Sequence, residues 1–192
     1  MKSWKIKFLE KSVLGQNTDQ TDSEIVLDKC IGLAYRDMLT AGRFYTSKFK
    51  NDKNNICSTT KKIIQNENFI FSKNIIEQVA DLFSDTEIIS IGDKYVTRYG
   101  LSQKLVNMSF KYFYIFIDYI FDNESQIDFS NCDCPLDSII LNAIPYNKTV
   151  WSKFTKAHYI ECQNKISDLL KSITLDDELK SLGNMAYDFL HW

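Results

Sequence analysis

Apolar side chains three and four residues apart, in long runs that only six glycines and two prolines interrupt, point this chain towards helices. A barrel or sandwich would need alternating patterns broken by frequent turn residues. The 192 residues, 44% of them hydrophobic, are enough for one domain, or two small lobes sharing a core. Thirteen Phe and ten Tyr make that core aromatic. The expected class is all-α, with a short N-terminal strand.

Taken in order, Trp4-Lys-Ile-Lys-Phe-Leu alternates and reads as a short strand or extended arm, followed by polar loop to residue 21. Ser23-Glu24 opens a helix carrying Ile25, Leu27, Ile31, Ala34, Tyr35 and Met38, closed near Gly42. Thr46 to Thr60 is rich in Lys, Asn and Ser and reads as a mobile basic loop. Helical spacing returns at Lys61 and is clear from Ser72 to Phe83; a further helix is expected from Thr86 to Tyr99, running straight into Gly100. Ser102 opens a long helix to about Asp122. After a polar stretch, Pro135 fits the first position of a short helix through Ile144. Helices from Thr155 to Ser172 and from Thr174 to Trp192 complete the chain, without internal repeat or low-complexity tract.

Net charge is −2 and the pI about 5.7, which argues against coating nucleic acid by bulk charge. Locally the balance differs. Between Arg43 and Lys62 six basic residues face one acid, and between Lys94 and Lys111 four face none. This split fits either one basic face or ordinary solvated surfaces. The start of the chain lacks an apolar signal core, and its longest apolar run, Tyr112 to Ile117, is too short to span a bilayer, so a cytoplasmic protein with no membrane partner is expected. Five cysteines, an odd number, suggest reduced thiols.

The chemistry-bearing stretch runs from Tyr99 to Leu141. A tight turn at Gly100 would expose the N-terminus of the next helix, whose backbone N–H groups can hold a phosphate. Lys104 falls in that helix's first turn, where burial or neighbouring cations such as Arg98 and Lys111 would make it an amine nucleophile. Asp137, behind Pro135, would face it and stabilise a positively charged sugar. Capping the next helix is an equal claim on Asp137.

Gly100-Leu101-Ser102-Gln103-Lys104 resembles the hairpin of the helix-hairpin-helix DNA glycosylases, and Pro135-Leu136-Asp137-Ser138 resembles the segment carrying that family's aspartate. The long interval between them is similar to the archaeal 8-oxoguanine N-glycosylase/DNA lyase branch, where a long helix fills it. The resemblance implies Lys104 as the Schiff-base lysine and Asp137 as the catalytic aspartate. It also implies a two-lobed helical bundle, with base flipping from double-stranded DNA into the cleft between lobes. Lobe one would take about 1–45 plus 146–192, and lobe two about 60–145 with the hairpin. Gly100, Ser102, Gln103, Arg98 and Lys111 would bind DNA. Ser102 departs from the family's second hairpin glycine, and no iron–sulfur cysteine signature follows.

A flipped base needs aromatic neighbours, and Phe110, Trp151 and Trp192 have the chemistry for it. Cys132 and Cys134 lack a second cysteine–histidine pair at ligand spacing, and His158 and His191 are far apart, so neither metal nor cofactor is expected. The expected function is base excision with β-lyase activity on a damaged or modified base such as 8-oxoguanine. The alternative is a catalytically inactive helical module that binds DNA or protein, with a role in phage defence open to it.

Overall fold

The computed structural model describes residues 12–13, 22–42, 47–83, 88–91, 94–121 and 127–191. Within them the chain runs α1 (Ser23–Gly42), α2 (Ser47–Asn66), α3 (Lys73–Ala80), β1 (Ile88–Ile91), β2 (Lys94–Thr97), α4 (Arg98–Ile115) and α5 (Ile117–Ile120). It continues through α6 (Ser138–Ala143), a 3-10 turn (Trp151–Lys153), α7 (Lys156–Lys171), α8 (Asp177–Lys180) and α9 (Met185–Leu190). The protein is mostly helical, as the spacing implies. The expected arm at residues 4–9 and Trp192 lie outside the described residues.

In α1, Val26, Leu27, Cys30, Ile31, Ala34, Tyr35 and Met38 are all buried, a stripe at helical spacing that packs on α4. Ile25, expected inward, is exposed. The stretch expected as a basic loop is instead helix α2. Its Ile56, Thr60 and Ile64, each four residues apart, form a buried row, and α2 packs against α1. Contact along one such row overrides the weak helix propensity of its Asn- and Ser-rich sequence.

The helix expected from Thr86 to Tyr99 is also corrected. Residues 88–91 and 94–97 form an antiparallel ribbon in which Ile88 pairs with Thr97 and Ile89 with Val96, and of the described residues in this stretch only Arg98 and Tyr99 are helical, as the start of α4. Ile89 and Val96 are buried while Tyr95 is exposed, the alternation of a half-buried strand. β-Branched residues favour the pleated conformation here.

The ribbon feeds α4, which is central. Leu101, Leu105, Val106, Phe110 and Phe113 are almost wholly buried, but so are Ser102, Gln103, Lys104, Asn107, Ser109 and Lys111. A helix enclosed on all sides has no solvent face to carry its polar residues, so they must find partners inside. α1 and α3 both pack on it. The expected continuation to Asp122 breaks at Phe116 (φ −103°, ψ 19°), and the short α5 follows.

α6 begins at Ser138 rather than at Pro135, with Asp137 as its N-cap. The last expected helix divides into α8, capped by Asp176, and α9. Gly183 lies between them at φ +56°, and a Cβ there would come within 2.2 Å of the Ser130 carbonyl oxygen. That left-handed backbone and close approach require glycine. One contiguous apolar cluster links α1 to α9. No helix of the described residues is long and apolar enough to cross a membrane.

Candidate functional site

The position of Lys104 is set at the start of α4. Thr97 Oγ1 caps the helix by accepting from Gly100 N (2.9 Å) and donates to the Phe154 carbonyl (2.6 Å), tying the helix start to the segment after the 3-10 turn. Gly100 lies directly against that turn. A Cβ on it would sit 2.7 Å from the carbonyl oxygens of both Trp151 and Ser152. The glycine therefore serves close packing of main chain on main chain.

From this anchored end, Lys104 reaches a cleft of about 320 Å³, near the lower limit of ligand pockets (about 300–1,000 Å³). α1 contributes Asp37 and Thr40 to its walls, and α4 contributes Lys104, Met108, Lys111 and Tyr112. Asp137, Ile139 and Ile140 come from α6 and its cap, and Asp188 and His191 from α9 and its end. A larger hollow of about 900 Å³ runs along α1 past Gly32, Leu33 and Arg36, but includes neither Lys104 nor Asp137.

Lys104 Nζ donates to Asp137 Oδ2 at 3.0 Å. The lysine side chain is 3% exposed and the aspartate 22%, so the pair sits at the floor of the cleft with the carboxylate nearer the mouth. Asp137 Oδ1 meanwhile accepts from Ile139 N (2.9 Å) and Ile140 N (3.1 Å). Burial pushes this carboxyl up, but the Lys104 ammonium and the two backbone N–H groups outweigh it and hold it below the usual carboxylate range. Asp137 is thus both partner of Lys104 and N-cap of α6.

Lys111 lies seven residues beyond Lys104, two turns along the same helical face. It pairs with Asp188 and lies 5.3 Å from the centroid of the Phe189 ring. Tyr112 donates its hydroxyl to Asp37 across the cleft. Burial first, then the Asp37 charge, drives this phenol well above its ordinary range, so it remains a protonated donor.

Of the residues singled out from the sequence, Lys104, Asp137 and Lys111 meet in this cleft. The others do not. Gly100, Ser102 and Gln103 are buried: Ser102 donates to the Tyr99 carbonyl, and Gln103 to those of Gly100 and Leu136. Gly100 packs against the main chain of the 3-10 turn, and these three residues lie away from the cleft. Arg98 lies outside the cleft lining and pairs with Asp81 at 3.4 Å. Phe110 is 1% exposed and packs edge-on against Phe71 and Phe113, and Trp151 is buried, so neither faces the cleft. Trp192 is outside the described residues.

Asp37 and Asp188 were missed by sequence reasoning, His191 was considered only as a metal or hydrolytic candidate and set aside, and Tyr112 was assigned only to an apolar stripe. A signal existed for Asp188, the lone acid in the hexapeptide Met-Ala-Tyr-Asp-Phe-Leu. Lys104 and Lys111 are likewise spaced to share one face.

Cys132 and Cys134 are buried free thiols held above their ordinary range chiefly by desolvation. No group of three or more His, Cys, Asp or Glu that could hold a metal ion comes together among the described residues. Buried amine, carboxylates, phenol and thioether give a site able to bind a small polar group and offer it an amine. No protein-family model, curated protein or solved structure matches the chain.

Proposed function

We propose that this cleft is the active site of a DNA base-excision glycosylase with β-lyase activity on a damaged or modified base such as 8-oxoguanine. The observation that carries the reading is the 3.0 Å contact between the Lys104 amine and the Asp137 carboxylate inside a cleft. These are the residues that the resemblance to helix-hairpin-helix glycosylases picks out. In this reading Lys104, after losing a proton, attacks C1′ of a flipped nucleotide while the glycosidic C–N bond breaks, and the base departs with the bonding pair and is protonated. The sugar ring opens to an imine, its ring oxygen taking a proton. Loss of a C2′ proton then expels the 3′ phosphate, and water releases Lys104. In the same reading Asp137, 3.0 Å from the attacking amine, stabilises the positive charge that develops on the sugar and accepts the amine proton.

The two-lobed organisation belongs to this reading. The cleft walls come alternately from residues 1–45 with 146–192 (Asp37, Asp188) and from 60–145 (Lys104, Asp137), as a cleft between lobes requires. The β1–β2 ribbon stands in the sequence where the first hairpin helix would be, and with Gly100, Ser102 and Gln103 buried this reading assigns phosphate contacts to other surfaces.

The second reading, an inactive module that binds DNA or protein, draws on the same pair. Lys104 is almost wholly buried and charge-matched, and Asp137 caps a helix, so both have structural work without chemistry. Borohydride trapping separates the two. A covalent adduct with abasic or 8-oxoguanine duplex that disappears in Lys104→Ala is expected; absence of an adduct with any lesion favours the inactive module.

A further inference from the structure

The segment 132–136, which delivers Asp137, has no regular secondary structure and is buried throughout. Cys134 and Leu136 are both 0% exposed, so their main-chain groups need partners that water cannot supply. Side-chain amides provide them. Gln163 of α7 grips both groups of Cys134, its Oε1 accepting from the amide N–H at 3.0 Å and its Nε2 donating to the carbonyl at 2.8 Å. From α4, Asn107 donates to the same carbonyl at 3.4 Å and Gln103 to that of Leu136 at 3.4 Å. Asn184 donates to Gln163 Oε1 at 3.2 Å, which fixes the amide's orientation.

We propose that Gln163, Asn107 and Gln103 are positioning residues: their amides clamp the 132–136 segment between α7 and α4 and so set where the Asp137 carboxylate meets the Lys104 amine. Their relevance to excision rests on the reading of the cleft given above. Gln163 is the principal member, since its two bonds act three residues before Asp137. All three amides address main chain, so the clamp fixes the path of the segment whatever side chains it carries. Without it, the main chain of this run would keep the Cys132 bonds at its start, N–H to the Phe129 carbonyl and carbonyl from the Met185 N–H, and the cap of α6 after its end, with Asp133 tied through its side chain to Tyr159 and Lys73.

The test compares Gln163→Leu, which keeps bulk and loses both bonds, with Ile166→Val on the same helix, which loosens the core without touching the clamp. The Asp137 carboxyl is followed by carbon NMR across acid pH, with Lys104→Met marking the effect of losing the amine. The native carboxyl is expected to titrate below the ordinary range and Gln163→Leu to titrate higher, with Ile166→Val unchanged. Borohydride trapping should slow about a hundredfold in Gln163→Leu, the scale of a ~1 Å misplacement, at unaltered duplex affinity. An unmoved Asp137 titration in folded Gln163→Leu overturns the clamp. Should that variant not fold, Gln103→Met, which removes the bond to Leu136, takes its place: a raised Asp137 titration supports the clamp and an unmoved one overturns it. If the native chain never traps DNA while Gln163→Leu still shifts Asp137, the excision reading fails and the clamp stands.

Discussion

Asp137 divides its carboxylate between Lys104, held by Oδ2 at 3.0 Å, and the first turn of α6, whose Ile139 and Ile140 N–H groups are held by Oδ1. Asparagine is as good a cap as aspartate, whereas alanine loses about 1 kcal/mol of capping. Asp137→Asn therefore isolates the charge. It leaves an ammonium buried without its counter-ion, a loss of about 3–5 kcal/mol when a buried pair is broken, reduced here because Asp137 is partly exposed. Lys104→Met leaves a carboxylate still bonded to two N–H groups near the cleft mouth and should cost less. Urea unfolding of the variants checks the order; a larger loss in Lys104→Met would contradict it.

The pH dependence of the pair has a definite sign. The folded Asp137 carboxyl is held below its usual range, so its contribution is fully present above the unfolded value of about 3.9 and is lost as pH falls through the lower folded value. The stability difference between native protein and Asp137→Asn should be flat from pH 7 to 5 and shrink in stronger acid. Unfolding curves at successive pH values read this directly, and a difference that grows below pH 4 would refute the assignment.

Asp133 behaves in the opposite way. Desolvation outweighs Lys73 and the Tyr159 hydroxyl and holds its carboxyl above the usual range. A raised folded value means that stability is lost as pH rises from the unfolded value of about 3.9 through the folded one. Asp133→Asn keeps an acceptor for Tyr159 and removes the buried charge. It should be more stable than the native protein at pH 7, with the advantage vanishing in acid, as thermal melts at the two pH values would show.

Gly100→Ala tests why a glycine stands at the start of α4. Alanine is the better helix former, which alone would stabilise. Here its Cβ would meet two carbonyl oxygens at 2.7 Å, backbone atoms that cannot swing aside. A net loss of about 1–3 kcal/mol is expected, as for overpacking elsewhere. A neutral or stabilising result by urea unfolding would show that the 3-10 turn can move away.

If the cleft acts on DNA, affinity for duplex should fall steeply as salt rises, because phosphate contacts release counterions. Titration of a fluorescent lesion-bearing duplex at increasing ionic strength measures the slope. Indifference to salt would count against any DNA partner. Ser102→Ala should leave the slope unchanged, since Ser102 is buried and its hydroxyl bonds to the Tyr99 carbonyl.

Local signals in the sequence were sufficient to determine the helical class, the inward stripe of α1 and the helices around Ile75, Tyr159 and Asp137. Each depends on spacing or on a cap a few residues away. The motif around Gly100 and Pro135 also singled out Lys104 and Asp137 from 192 positions. Folding decided what distance along the chain hides. Ile56, Thr60 and Ile64 make α2 a helix only because α1 is there to receive them, and Gly100 is buried because the 3-10 turn packs against it. Asp37 and Asp188 join the site from opposite ends of the chain. Their membership depends on how α1, α4 and α9 pack, and that is fixed by the shape of a shared core rather than by any pattern within one segment.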